Sequence, residues 1–111
     1  MPRQTIFEMR FDRVYAALVM KAEKKGRTRE EVDRVTCWLT GYTELDSLSE
    51  NTYGDFIAGA PAWNPRASLI TGKVCGISVE TIDDPMMKRV RQLDKLVDEL
   101  ARGWPLERIL R

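Results

Sequence analysis

Asp83-Asp84-Pro85-Met86-Met87-Lys88-Arg89-Val90-Arg91-Gln92-Leu93-Asp94-Lys95-Leu96-Val97-Asp98-Glu99-Leu100-Ala101-Arg102-Gly103 is the stretch on which the fold turns. Met86, Val90, Leu93, Val97 and Leu100 recur at steps of four and three, and Leu96 widens the stripe. That is the period of a helix with one buried face. The paired aspartates supply a cap, Pro85 suits the first turn and Gly103 stops the helix. The spacing predicts a central core helix. Its repeat runs for only about two heptads, too short to establish a coiled coil. The regular stripe also allows a homodimer face over residues 85–102. Trp104-Pro105 then restarts a short helix carrying Leu106, Ile109 and Leu110, which either covers the stripe or meets a partner.

Two further helices precede it. Val14, Tyr15, Leu18, Val19 and Ala22 share a helical face, with Asp12 expected as its cap and Gly26 as its stop. Thr28-Arg29-Glu30-Glu31 reads as a capping box, in which a hydroxyl and a carboxylate satisfy each other's free backbone N–H groups. Val32, Val35 and Leu39 form the buried stripe behind it, and Gly41 ends it. The short link at 26–27 predicts a helical hairpin. Leu45 and Leu48 suggest a turn or two of helix. Thr52 and Asp55 cap a short helix with Phe56 and Ile57, and Pro65 can open another that reaches Ile70. Alternation over residues 5–11 reads as a weak strand or an extended lead-in. Residues 71–82, β-branched and punctuated by Gly72 and Gly76, read as a short strand, a hairpin with the N-terminal segment, or an ordered loop. The expected architecture is mainly α: one compact domain over residues 1–111, of four or five helices, with a minor β-element near residues 5–9 and 74–79.

Composition narrows the chemistry. The 111 residues suffice for a single hydrophobic core, and 43 % apolar with 32 % charged residues fits a folded, well-solvated chain. The formal net charge of +1 weighs against a dedicated nucleic-acid binder. There is no histidine, which removes Ser-His-Asp and Cys-His arrangements, histidine metal sites and the usual near-neutral base. Cys37 and Cys75 lie far apart, without zinc-site spacing. No metal or cofactor is expected. Met1-Pro2-Arg3-Gln4 leads straight into mixed sequence and no apolar run approaches membrane-spanning length, so the expectation is a cytoplasmic protein with reduced thiols.

The run Lys24-Lys25-Gly26-Arg27-Thr28, then Glu31-Val32-Asp33 and Trp38-Leu39-Thr40-Gly41-Tyr42, resembles a bacterial family, domain of unknown function 2200. The second half is similar to it as well, in Asn64-Pro65, Ser68-Leu69-Ile70-Thr71-Gly72, Val74-Cys75-Gly76 and Leu93-Asp94-Lys95-Leu96. The resemblance spans nearly the whole chain. It implies a small bacterial cytosolic protein and transfers no catalytic residue.

The candidate sites each compete with a packing role. Trp38 and Tyr42, four apart, either wall a ligand pocket or fill the core beside a glycine cap. With Asn64, Arg66 and Cys75 they make the candidate ligand site, where the Arg66 fork would pair with a carboxylate or phosphate. Cys75 could draw cationic help from Lys73, although free cysteines usually pack as small hydrophobes. Asp94 and Asp98, with Asp84, could hold a hard cation or work as an acid/base pair, but Arg91, Lys95 and Arg102 at helical spacing favour a solvated ion-pair face. The glycines of 71–76 lack the Gly-Lys-Ser/Thr ending of a phosphate loop. Lys21, Lys24, Lys25, Arg27, Arg29 and Arg34 gather around the hairpin, so a DNA-reading hairpin competes, opposed by interleaved Glu23, Glu30, Glu31 and Asp33. A non-catalytic binding or interaction module is the favoured function. An anionic-ligand binder or enzyme near Trp38, Tyr42 and Arg66 is the alternative, and DNA binding ranks third.

Overall fold

A computed structural model describes residues 4–48, 50–74 and 76–111, with side-chain detail from residue 6 onward. Six helices occur among the described residues: α1 (Gln4–Glu8), α2 (Phe11–Glu23), α3 (Arg29–Thr40), α4 (Tyr53–Ala58), α5 (Pro85–Ala101) and α6 (Leu106–Ile109). A two-stranded antiparallel hairpin, β1 (Lys73–Val74) and β2 (Ile77–Ser78), pairs Lys73 with Ser78 and Val74 with Ile77. The architecture is mainly α with a minor β-element.

α5 is the axis of the core. The Asp84 carboxylate accepts from the backbone N–H of Met86 at 3.0 Å and of Met87 at 3.4 Å, and Pro85 occupies the first turn. Val90, Leu93, Leu96, Val97 and Leu100 are fully buried. Each contributes on the order of 1.5–3 kcal/mol of transfer free energy. α2, α3, α4, α6 and the hairpin pack around this one helix. From Val90 to Leu100 the stripe that offered a dimer face is therefore covered by the chain's own elements, while Met86 stays partly buried.

α3 carries the capping box: Glu31 N–H donates to Thr28 Oγ1 at 3.2 Å and Thr28 N–H to Glu31 Oε1 at 2.9 Å. Its buried face includes Thr36 and Thr40, whose hydroxyls donate to Val32 O at 2.9 Å and Thr36 O at 2.8 Å. These back-bonds let two hydroxyls sit in an apolar interior. α4 follows Thr52, which caps Asp55 N–H at 3.1 Å, and buries Tyr53, Phe56 and Ile57. Phe11, Tyr15, Tyr53 and Phe56 stack into one aromatic cluster, with Phe11 and Phe56 centroids 4.6 Å apart.

Three expectations change. Residues 4–8 form helix α1, not a strand. Phe7 lies against Gly54 of α4, where a Cβ would come within 3.0 Å of Phe7 O. Alternation over so short a window fits a helix turn as well as a strand, and packing on α4 decides. The hairpin pairs β1 with β2, Lys73 with Ser78 and Val74 with Ile77, rather than with the N-terminal segment. α2 starts one residue before the expected cap. Its start is joined to that of α4 by Phe11 N–H to Asn51 O and Tyr53 N–H to Met9 O, both 2.7 Å, and Asp12 instead pairs with Arg10 at 2.9 Å.

Candidate functional site

The residues around the α3 exit were the first candidates. Gly41 adopts φ +85, and a Cβ there would lie 2.8 Å from Ala62. Ala62 N–H donates to Thr40 O at 3.1 Å and Asn64 N–H to Leu39 O at 2.8 Å, so residues 62–64 are strapped to the helix end. Trp38 is half-buried and its carbonyl accepts from Asn64 Nδ2 at 3.2 Å. Tyr42 turns to α4, stacking on Phe56 at 5.4 Å and donating to Phe56 O at 2.8 Å. Burial pushes its phenol above the ordinary range. Arg66 is exposed and donates to Arg111 O at 2.9 Å. Asn64 thus meets Trp38 through the backbone, while Tyr42 and Arg66 take separate partners. Cys75 lies outside the described residues.

The acidic face of α5 is less solvated than its spacing suggested. Asp98 faces Arg102 at 2.8 Å, Lys21 at 3.4 Å and Lys95 at 3.8 Å. Asp94 accepts from Arg91 at 3.0 Å, yet burial outweighs that partner and holds its carboxyl above the usual range. Glu99 is fully buried and meets Arg111 at 2.6 and 2.9 Å. No group of three or more Cys, Asp or Glu among the described residues is placed to hold a metal ion.

Among the described residues, half of the basic hairpin's cations are paired. Arg27 binds Glu31 at 2.6 Å and Trp104 O at 2.9 Å, Lys21 faces Asp98, and Arg29 approaches Asp33 at 3.9 Å. Lys21, Arg27 and Arg29 of the cations that suggested a DNA reader thus have acidic partners within the chain.

Two concave surfaces stand out instead. A groove of about 370 Å³ runs between α2 and the segment at Leu45 and Asp46. Phe11, Tyr15, Val19 and Leu45 give it an apolar floor, and Asp12, Glu23 and Asp46 a carboxylate rim. Met20 stands at its lip, 57 % exposed. Arg29, the cation in this lining, is drawn over the Tyr15 ring at 6.0 Å. Tyr15 donates to Asp33 at 2.5 Å, and burial and that carboxylate raise its phenol far above the ordinary range. Next to the groove, the Cys37 thiol is pushed up by burial, then by Asp33 and Glu44. The second surface, a cleft of about 350 Å³, lies where Asn64 and Pro65 face the start of α5. Sequence reasoning missed both. The exposed Met20 on an otherwise regular α2 was the one local signal for the groove. The cleft joins residues some 25 positions apart (Trp63 to Lys88) and leaves no local pattern.

A small α-rich domain built on one core is the class these observations define. A family model described as "Uncharacterized protein conserved in bacteria (DUF2200)" matches residues 5–111, and the chain belongs to that family. It is similar to the crystal structure of uncharacterized protein SP1917, with TM-score 0.90 and 46 % identity over 98 % of this chain and 93 % of that one. No curated protein matches. No helix among the described residues is long and apolar enough to cross a membrane.

Proposed function

We propose that the protein is a non-catalytic interaction module, seating an amphipathic, basic-flanked segment of a partner protein in the α2 groove. The carrying observation is the combination there of an apolar floor, an exposed Met20 and a rim of Asp12, Glu23 and Asp46. Such a surface rewards apolar anchors at helical spacing with Lys or Arg beside them. The chemistry nearby favours binding over catalysis: the Tyr15 phenol and the Cys37 thiol are both held protonated. We place this work in the cytoplasm, where Cys37 stays reduced. The partner is a different chain rather than a second copy through residues 85–102, because the α5 stripe is buried from Val90 to Leu100.

The test is an NMR titration with two synthetic peptides of about three helical turns, one of leucine and lysine, the other of leucine and glutamate. The lysine peptide is expected to shift Tyr15, Met20 and Leu45, to weaken with salt, and to lose binding in the Glu23→Lys/Asp46→Lys variant. Equal binding of the glutamate peptide, or shifts centred elsewhere, would defeat the reading.

A further inference from the structure

The cleft at the start of α5 shares no residue with the α2 groove and has the opposite electrical character. The Arg89 guanidinium lies over the Trp63 ring, 4.7 Å from its centroid. The Trp63 indole N–H donates to Gln92 Oε1 at 3.0 Å, and Gln92 Nε2 donates to Ala67 O at 3.3 Å. Aromatic wall and cation are therefore fixed in place before any ligand arrives. Lys88 stands beside them, and no carboxylate lines the cleft. Among the described residues neither Lys88 nor Arg89 joins an ion pair, whereas Arg91, Lys95 and Arg102 on the same helix all do. Arg89 makes one long bond, to Ile57 O at 3.5 Å, and keeps its other donors. The Ser68 hydroxyl at the edge already donates to Pro65 O at 3.2 Å and is not counted among the anion's donors.

The geometry points to a binding site for a small phosphate monoester: the dianion held by Lys88 and Arg89, the organic part against Trp63 and Pro65. Two half-buried cations without a direct ion-pair contact, Lys88 feeling Glu80 only at longer range, match a dianion better than a monocarboxylate, and a guanidinium fork suits phosphate oxygens. The cleft volume of about 350 Å³ accommodates a ligand of modest size. The sequence placed an anion at Arg66, a neighbour of Pro65 in the chain; the proposed phosphate is held by the cations of α5 instead.

Phenyl phosphate and benzoate carry the same ring with different anions, and inorganic phosphate carries no ring. Each is titrated into labelled protein while the Trp63 indole N–H resonance is followed. Phenyl phosphate is expected to saturate, and to bind roughly tenfold or more tighter than benzoate, because one more charge-assisted contact forms. Inorganic phosphate is expected to bind the same site more weakly. Lys88→Gln should weaken phenyl phosphate by about tenfold or more, and Lys88→Gln/Arg89→Gln should abolish saturation. Lys24→Gln should change nothing. Lys88 makes no side-chain hydrogen bond among the described residues, so its variant keeps the fold even if Arg89→Gln loosens Trp63. Benzoate binding as tightly as phenyl phosphate, absence of a saturable shift at Trp63, or unchanged affinity in Lys88→Gln would overturn the assignment. None of these outcomes touches the peptide groove.

Discussion

At the scale of single residues, two tyrosines show how burial and hydrogen bonding part company. Tyr53 is fully buried, and its hydroxyl finds no hydrogen-bond partner among the described residues. Tyr15 is almost as buried, but its hydroxyl donates to Asp33 and lies 3.3 Å from Thr36 Oγ1. An unpaired buried hydroxyl costs about 1–3 kcal/mol, and a made bond contributes about 1 kcal/mol net. Tyr53→Phe should therefore leave stability unchanged or raise it by about 1 kcal/mol, while Tyr15→Phe lowers it by a similar amount. Denaturant unfolding of both variants checks the pair. A loss of more than about 1 kcal/mol in Tyr53→Phe would mean that a bridging water completes that hydroxyl.

At the scale of elements, legibility followed how local the signals were. The α3 capping box, the Asp84-Pro85 start of α5 and the Thr52 cap of α4 each lie within four residues of what they fix, and all three formed as read. The strand reading of residues 5–9 failed because its evidence was a short alternation over residues 5–11, whereas these residues pack on the distant α4, with Phe7 against Gly54. The groove and the cleft escaped for the same reason: Tyr15 meets Leu45, and Trp63 meets Arg89, only after folding. The Glu99–Arg111 pair was invisible in sequence too, though it decides where the segment after α6 sits. Glu99 has no exposure, and Arg111 grips both its oxygens. Removing one partner strands the other, so Arg111→Ala should cost about 3 kcal/mol. Replacing both, Glu99→Leu with Arg111→Leu, should recover much of it. Unfolding free energies around that double-mutant cycle measure the coupling, and simple additivity would show that solvent already screens the pair.

At the scale of the whole molecule, a formal charge of +1 conceals carboxylates and cations sorted to separate surfaces and pairs, and their environments set opposite pH dependences. Glu31 has its carboxyl lowered from 4.5, first by the Arg27 guanidinium and then by the Thr28 N–H. A lowered folded value gives stability that is present above the ordinary one and lost as pH falls through the folded value. Asp94 is the reverse case. Burial raises its carboxyl above 3.8 despite Arg91, so its contribution is present in acid and lost as pH rises through the raised value. Asparagine mimics the protonated acid in size and hydrogen bonding. Relative to the parent, Asp94→Asn should therefore fare best at neutral pH and lose that advantage on acidification, as the parent's own carboxyl takes up its proton. Glu31→Gln should do the opposite: worst at neutral pH, and converging on the parent in acid. Urea unfolding of the three proteins across the acid range gives the curves directly. Because the two groups differ in sign, a nonspecific acid effect on the unfolded chain cannot mimic both. A parent-minus-variant difference for Asp94 that stays flat with pH would mean that water reaches this carboxylate and burial does not govern it.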